Sequence, residues 1–401
     1  MTTRAINPYA LVFALALAAL PLCGSAAEDT LRFLEMRVRE DPLDFTAQNR
    51  LADSYIKAMR ETGDLAFLDR AAIAARASLE AVPAGRNPGG LTELAMVEFE
   101  SHHFAEALKL AQQAYGIDPR NLAAMATTGD AYVELGNYKE AETVYAKLAK
   151  NDKTAPSILA RLARLAELNG DNLKAIGLLA KAAKDETWFL VRLGEIHFRT
   201  GNLAQAETEY QAALKQKADS FLALEHLAEL RAAQTHYDEA IALYQKVISQ
   251  VPRAEFFQAL GDLYVFMGKP DEAKPWHGRA LAAYLKSIEL GNSHYLHHLA
   301  NFYNDVQENP AEALRWANKD LELRHSIYAY DALAWALYKN GNFAEARDTM
   351  KKALALGTKD AHLLYHAGLI YSRAGDIKQG QAYLKQTVAI NPSYNAFHAH
   401  R

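Results

Sequence analysis

Residues 127–152 read TTGDAYVELGNYKEAETVYAKLAKND, a stretch with the pattern of two helices joined by a tight turn at Gly136. Apolar and small side chains recur at helical spacing on both sides of the glycine, as the buried stripe of an amphipathic helix does. Before the turn these are Met125, Thr128, Gly129, Tyr132 and Leu135, and after it Ala141, Tyr145 and Leu148. Glycine suits the left-handed backbone conformation that ends a helix. The break is short, so we expect the two helices to be antiparallel and packed together.

The residues after the turn predict how the second helix begins. Asn137 is placed to cap it through the side-chain oxygen, and Glu140 lies three residues later, as in a capping box. The same spacing recurs further along the chain as Asn202 with Gln205, Asn342 with Glu345, and Asp376 with Gln379.

The turn itself recurs through most of the chain. Equivalent positions are His102, Gly136, Gly170, Gly201, Thr235, Gly268, Glu308, Gly341 and Gly375. The steps between them are 34, 34, 31, 34, 33, 40, 33 and 34 residues. A period near 34 residues with two helices per unit predicts an all-α repeat array.

Residues at fixed places within the period resemble those of the tetratricopeptide repeat. The first helix carries Leu193-Gly194 and Leu260-Gly261, an aromatic residue follows at Tyr132, Tyr264 and Tyr371, and the second helix carries Ala107, Ala141, Ala175, Ala206, Ala240, Ala273, Ala313 and Ala346. Closing prolines stand at Pro83, Pro119, Pro252 and Pro392. The resemblance implies a right-handed α-solenoid of about ten helix-turn-helix units.

The domain organisation follows from where the period starts and stops. We expect a capping helix at 28–42, a solenoid at 43–392 and a tail or partial cap at 393–401. The 40-residue step predicts a longer second helix before residue 291 and a step in the array there. Two C-terminal stretches, 331–335 and 356–368, resemble exported bacterial tetratricopeptide proteins without assigned activity.

Residues 1–27 are interpreted as an export signal rather than as part of the fold. Arg4 precedes the apolar run ALVFALALAALPL, and small residues follow at 24–27. An uncleaved anchor and a lipoprotein signal at Cys23 are the alternatives. Cleavage after Ala27 predicts a periplasmic or secreted protein with no membrane span and no cysteine, since Cys23 is the single one.

Composition excludes several functional classes. The formal net charge of −4 argues against nucleic acid as a partner, because nucleic-acid binding needs a basic surface. No phosphate-binding loop or nucleophile motif is present, so we expect no enzyme activity and no cofactor.

The resemblance implies that a partner peptide or protein binds in the groove lined by the first helix of each unit. The groove positions are Trp188, Glu195, Arg199, Glu225, Glu229, Asp262, Tyr295, His298, Phe302, Asp305, Tyr328, Asp331, Trp335, Tyr338, Tyr365 and Arg373. Acids dominate the middle of this set and aromatics dominate the end, which suggests a basic or aromatic partner. Acids on a helix face are also typical of simple solvation, and aromatics at helical spacing are typical of a core.

Tyr328, Asp331 and Trp335 are the strongest candidates within the groove. Their spacing places them on one helix face, away from Leu333. Rigid aromatics beside a carboxylate suit a binding hot spot or a cation site.

The histidines offer the one candidate for metal chemistry. His294 and His298 are one helical turn apart, as are His362 and His366, and imidazoles at this spacing coordinate zinc, copper or nickel. Packed histidines with no ligand are the alternative. Two functions therefore remain open: an interaction scaffold, and a receptor for a small ligand or metal. The oligomeric state is not encoded in any motif.

Overall fold

In the computed structural model, which describes residues 26–182, 186–394 and 397, the chain forms twenty-one α-helices and one short 3-10 helix, without a strand in the described ranges. The helices are α1 (Ala26–Glu40), α2 (Phe45–Thr62), α3 (Ala66–Ala81), α4 (Pro88–Glu100), α5 (Phe104–Ile117), α6 (Leu122–Glu134), α7 (Tyr138–Asn151), α8 (Pro156–Leu168), α9 (Asn172–Ala182), α10 (Thr187–Arg199), α11 (Leu203–Gln216), α12 (Phe221–Ala233), α13 (Tyr237–Gln250), α14 (Ala254–Phe266), α15 (Pro270–Glu289), α16 (Leu296–Asp305), α17 (Pro310–Leu323), α18 (Ile327–Lys339), α19 (Phe343–Ala353), α20 (Ala361–Arg373) and α21 (Ile377–Ile390).

These helices stack as ten pairs, from α2 with α3 to α20 with α21, and the two helices of each pair pack on each other. The predicted all-α repeat array is therefore confirmed. Helix α1 precedes the first pair and packs on α2, where Leu34 joins the core around Leu51 and Ile56.

All nine predicted turn positions adopt a left-handed backbone conformation. Gly136 has a φ of 75°, and the amide of Asn137 donates a 2.8 Å hydrogen bond to the carbonyl of Tyr132, which satisfies an end carbonyl of α6. His102, Thr235 and Glu308 also have positive φ, at 64°, 66° and 38°. The repeat geometry therefore imposes this conformation even where the residue is not glycine.

The predicted caps are only partly right. Asn137, Asn202 and Asn342 precede their helices but make no side-chain capping hydrogen bond. The carboxylates of Asp171 and Asp376 do cap, each accepting from the amide three residues later. Residue type alone does not decide which positions cap, because Asn309 follows an equivalent turn and does accept a hydrogen bond, from the amide of Glu312.

Close packing inside each unit explains the glycine of the first helix. A Cβ on Gly129 would overlap the ring of Tyr145, which is 2% exposed and lies on the second helix of the same unit. Gly194 meets the ring of Tyr210 in the same way. The two helices approach closely because a hydrogen atom stands where a side chain would begin.

The units that exceed the 34-residue period have longer helices. Helix α15 extends over 20 residues, as the 40-residue step predicts. The first unit also has long helices, since α2 and α3 have 18 and 16 residues and the turn between them spans only 63–65.

The array winds back on itself, which the repeat pattern does not predict. The turn inside each of the first five units contacts the connection that follows the unit five places later, and we call this line of contacts the seam. Its members are Gly63 beside Val251, Ser101 with Ser293, Tyr138 with Ile327, Leu168 with Thr358, and Gly201 beside Asn391. The hydrogen-bonded pairs among them are 189 to 192 residues apart.

The seam brings the first helices of distant units together across the interior. Arg164 on α8 lies 5.2 Å from the ring centroid of Tyr328 on α18, and Arg199 on α10 lies 3.7 Å from Asp360. The inner face is thus partly filled by the chain's own side chains.

None of the described helices is long and apolar enough to cross a membrane.

Candidate binding site on the inner face

The predicted groove residues differ widely in exposure. Three of the sixteen are exposed: Trp188, Asp305 and Arg373. Seven are half-buried: Glu195, Arg199, Asp262, His298, Tyr328, Tyr338 and Tyr365. Six are buried: Glu225, Glu229, Tyr295, Phe302, Asp331 and Trp335. An open groove lined by all sixteen is therefore not what the structure contains. Partners on neighbouring first helices cover Asp331 and Trp335, and Arg164 from the other half of the inner face covers Tyr328.

An ion-pair network occupies the middle of the inner face. Glu167 is 4% exposed, and its carboxylate lies 3.4 Å, 3.4 Å and 3.1 Å from the guanidinium groups of Arg164, Arg192 and Arg199. Burial acts to raise the pKa of Glu167, but the three arginines outweigh it and hold the pKa below its ordinary value. Arg192 also pairs with Glu195. These acids are neutralised within the chain, so they do not offer a free acidic surface.

The three strongest candidates on α18 are engaged by neighbouring side chains. Tyr328 lies under the Arg164 guanidinium. The Asp331 carboxylate is 3.0 Å from Nδ1 of His366, and the Trp335 indole donates a 3.1 Å hydrogen bond to Asp305. Replacing all three with alanine would therefore damage packing as well as any binding surface.

A contiguous group of rings lies around these residues at the C-terminal end of the inner face. Trp335 stacks on Tyr338 at 4.9 Å between ring centroids and on His366 at 4.0 Å, and Tyr365 lies 5.2 Å from Tyr394. We call Trp335, Tyr338, Tyr365, His366 and Tyr394 the aromatic patch. Tyr338, Tyr365 and Tyr394 are half-buried, so part of the patch is accessible.

Charged groups edge the aromatic patch. The Asp305 side chain is 50% exposed and lies 3.7 Å from the ammonium of Lys339. Lys339 also stands 5.6 Å above the ring of Trp335. Accessible rings beside a carboxylate and an ammonium form the kind of surface on which binding hot spots are found.

Two groups of three histidine or acid side chains in the described ranges have ligand atoms close enough to share an ion. One comprises Asp331, His362 and His366. The other comprises Glu225, His226 and Glu229. The predicted pair His362 and His366 is thus joined by a carboxylate, whereas His294 and His298 belong to neither group.

His294 instead lies at the seam. Its ring centroid is 4.7 Å from that of His102, and His102 is also 6.3 Å from His297. Burial lowers the pKa of His294 to about 4, helped by the positive charge of Arg253. Burial lowers the pKa of His102 and His297 as well, so all three rings are neutral near pH 7.

Several residues of the inner face were missed by sequence reasoning. His226 stands between Glu225 and Glu229 in the sequence, which was a visible signal for the second group. The Tyr394 hydroxyl lies 2.9 Å from Nδ1 of His362, and Arg192 and Asp360 belong to the ion-pair network. Their roles depend on packing between units, so no local sequence pattern indicates them.

Comparison with known families gives four matches along the chain. Sequence models described as tetratricopeptide repeat match residues 98–165, 327–360 and 361–394, and one described as tetratricopeptide repeat-like domain matches residues 192–299. No curated protein matches the sequence.

Solved structures similar to the chain include the human IFIT1 dimer with PPP-AAAA, at 14% identity and a TM-score of 0.46, covering 90% of this chain and 95% of that one. Yeast Tom70 is similar at 14% identity and a TM-score of 0.38, covering 91% and 88%. MamA is 25% identical with a TM-score of 0.34, covering 40% of this chain and 96% of its own.

Proposed function

Because the chain belongs to the tetratricopeptide repeat superfamily, we propose that it is a protein-interaction scaffold whose partner contacts the aromatic patch. The first part is supported by the array itself, since stacked helical pairs present an extended, rigid surface for partners. The second part is supported by one observation: Tyr338, Tyr365 and Tyr394 are partly accessible, whereas the equally accessible Glu195 and Arg199 in the middle of the inner face are paired with each other.

The chemistry of the patch indicates the kind of partner. Aromatic rings bind aromatic or cationic side chains through stacking and cation–π contacts. The half-exposed Asp305 adds a carboxylate for a basic residue. We therefore propose a short partner segment that carries a basic residue next to an aromatic or aliphatic one.

Selection from a random peptide library against the immobilised chain tests this proposal. Selected peptides should be rich in Arg or Lys beside an apolar residue and should bind the Tyr338→Ser, Tyr365→Ser double variant at least tenfold more weakly. Phe33→Ser is the matched control, because Phe33 is 58% exposed on α1, outside the array. Equal binding of the selected peptides to wild type and to the double variant would mean that they bind elsewhere. Loss of peptide binding in Trp188→Ser would then locate the binding surface on the fifth unit.

We also propose that the chain is exported to the periplasm or the cell exterior. Support comes from the sequence of residues 1–27, of which 1–25 lie outside the described residues, and from the absence of cysteine after Cys23. N-terminal sequencing of the protein recovered from cell fractions tests this. The expected mature terminus is Glu28 in the exported fraction, and an intact terminus in the cytosol would contradict it.

A further inference from the structure

We propose that Asp331, His362 and His366 form a binding site for a divalent transition-metal ion, with Zn²⁺ as the best match. The Asp331 carboxylate lies 3.0 Å from Nδ1 of His366 and 3.9 Å from Nε2 of His362. Metal binding by these three side chains requires no partner protein.

The distances suit an ion placed between the three groups. Metal–nitrogen and metal–oxygen bonds of about 2.0–2.2 Å at tetrahedral angles separate neighbouring ligand atoms by roughly 3.3 Å. One carboxylate oxygen of Asp331, Oδ2, lies 3.2 Å from Nδ1 of His366 and 3.9 Å from Nε2 of His362, and these separations bracket that value. Small side-chain rotations would therefore bring the three ligands into coordination without moving the helices.

Rigid elements and neighbouring groups hold the ligands in position. His362 and His366 are one turn apart on α20, and Asp331 comes from α18, the first helix of the preceding unit. The Tyr394 hydroxyl lies 2.9 Å from Nδ1 of His362, which leaves Nε2 of that ring facing Asp331. The Trp335 ring is stacked on His366 at 4.0 Å and an interplanar angle of 6°. Partners of this kind orient metal ligands in known sites.

The charge balance favours a cation. Asp331 is 5% exposed, and its ion-pair partners in the described part of the chain are the two histidines. A divalent ion would supply the positive charge that this buried carboxylate lacks.

The group formed by Glu225, His226 and Glu229 differs from the proposed site in its charge balance. His226 lies 3.6 Å from Glu225 and 3.8 Å from Glu229. Burial acts to lower the pKa of His226, but the surrounding acids, Glu225 first, outweigh it and raise the pKa. The acids therefore favour the imidazolium form of His226, which balances one of the two carboxylates and has no lone pair for a metal on its protonated nitrogens.

The proposed site is partly open to solvent, and its three side chains leave one coordination position of the metal unfilled. The His362 side chain is 23% exposed, so the group is in contact with solvent and an ion can reach it. Two histidines and one carboxylate fill three positions of a zinc ion and leave the fourth for water or an incoming group, as in zinc sites that bind ligands.

Titration of untagged, chelator-treated protein with Zn²⁺, and with Co²⁺ followed by visible absorption, tests the proposal. His398 and His400 are replaced by glutamine in every protein, so that the C-terminal tail does not contribute ligands. We expect one tight equivalent of Zn²⁺ and the intense absorption bands of four-coordinate Co²⁺. His362→Gln and Asp331→Asn should each weaken binding at least tenfold.

Matched variants separate this site from other metal binding. His226→Gln should leave the affinity unchanged, and Tyr394→Phe should weaken it without abolishing it, because it removes a group that only orients His362. His362→Gln should keep the helical circular dichroism, since His362 is a half-buried side chain on a helix face. Absence of one tight equivalent, or wild-type affinity in His362→Gln, would overturn the proposal.

Discussion

The hydroxyl of Tyr138 accepts a 2.8 Å hydrogen bond from the backbone amide of Ile327, 189 residues later in the chain. Beside it, the amide of His325 donates a 3.0 Å hydrogen bond to the carbonyl of Glu134. In an array whose units contact only their neighbours, stability is a sum of local terms. These bonds tie the third unit directly to the connection before the ninth, so the two halves stabilise each other.

Gly136→Ala should weaken the seam. Gly136 has a φ of 75°, and a Cβ there would lie 2.5 Å from the His325 carbonyl oxygen. Gly341→Ala is the control, because Gly341 has a φ of 81° and nothing within 4 Å of the added Cβ. Both variants bear the cost of a left-handed alanine, about 1 kcal/mol, and only the first opens the seam.

We therefore expect Gly136→Ala to be less stable than Gly341→Ala by a further 1–2 kcal/mol or so in urea unfolding, as overpacking typically costs. Small-angle X-ray scattering should show a larger radius of gyration for Gly136→Ala alone. The same radius and the same stability in both variants would mean that the seam contributes nothing.

Glu167→Ala should be strongly destabilising. The substitution leaves Arg164, Arg192 and Arg199 without their shared, buried carboxylate. Breaking a buried pair from one side typically costs about 3–5 kcal/mol when the remaining charge has no other partner. Arg192 and Arg199 keep Glu195, so we expect a loss near the lower end of that range. Glu106→Ala removes an ion pair with Lys109 in which both side chains are exposed, and should cost less than about 1 kcal/mol. Urea midpoints measure both, and comparable losses would contradict the buried network.

Acid should open the seam through its histidines. The pKa values of His102, His294 and His297 are lowered in the folded state, so the unfolded chain binds more protons. Their contribution is present in full above pH 6.5 and is lost as the pH falls towards about 4, the pKa of His294. At pH 5 the loss from His294 alone is on the order of 2 kcal/mol.

His102→Asn tests this pH dependence, because asparagine tolerates the left-handed conformation and does not titrate. The variant should lose less stability than wild type between pH 7 and pH 5. His103→Asn is the control, since His103 has a half-exposed side chain next to the same turn. Parallel pH profiles for all three proteins would rule out the seam histidines as the cause.

Gly129→Ala should disrupt the packing of the third unit. The added methyl group would overlap the buried ring of Tyr145, and overpacking of this kind typically costs about 1–3 kcal/mol. Gly177→Ala is the opposite case, because no atom lies within 4 Å of its Cβ in helix α9. That substitution should stabilise by about 0.5–1 kcal/mol through helix propensity. Thermal unfolding should show a lower melting temperature than wild type for Gly129→Ala and a higher one for Gly177→Ala.

The regular part of the fold could be predicted because its causes are local. A turn such as that at Gly136 depends on the residues within a few positions, and the small residue at Ala141 packs within its own unit. The caps show where local reasoning fails, since Asn137 and Asp376 occupy the same place and only the aspartate accepts a hydrogen bond. Asn309 occupies the equivalent place after another turn and does accept one, so neither the spacing nor the residue type specifies which side chain caps.

The inner face could not be predicted in the same way. Its positions were assigned as though every first helix faced solvent, and Asp331 and Trp335 were therefore expected to be accessible. Both are buried because neighbouring first helices supply His366 and Asp305 as their partners. The pairing of Arg199 with Asp360 joins residues far apart in the chain, which a repeat period cannot indicate.

The seam has a consequence for how such a chain can change in length. An open array can gain or lose an internal repeat, because each repeat contacts only its neighbours. Here all five seam contacts span the sixth unit, so deleting that unit would shift every partner in the second half by one place. Tyr138 would then face the connection one unit further along instead of the one that holds Ile327. The seam contacts therefore fix the number of repeats in this chain.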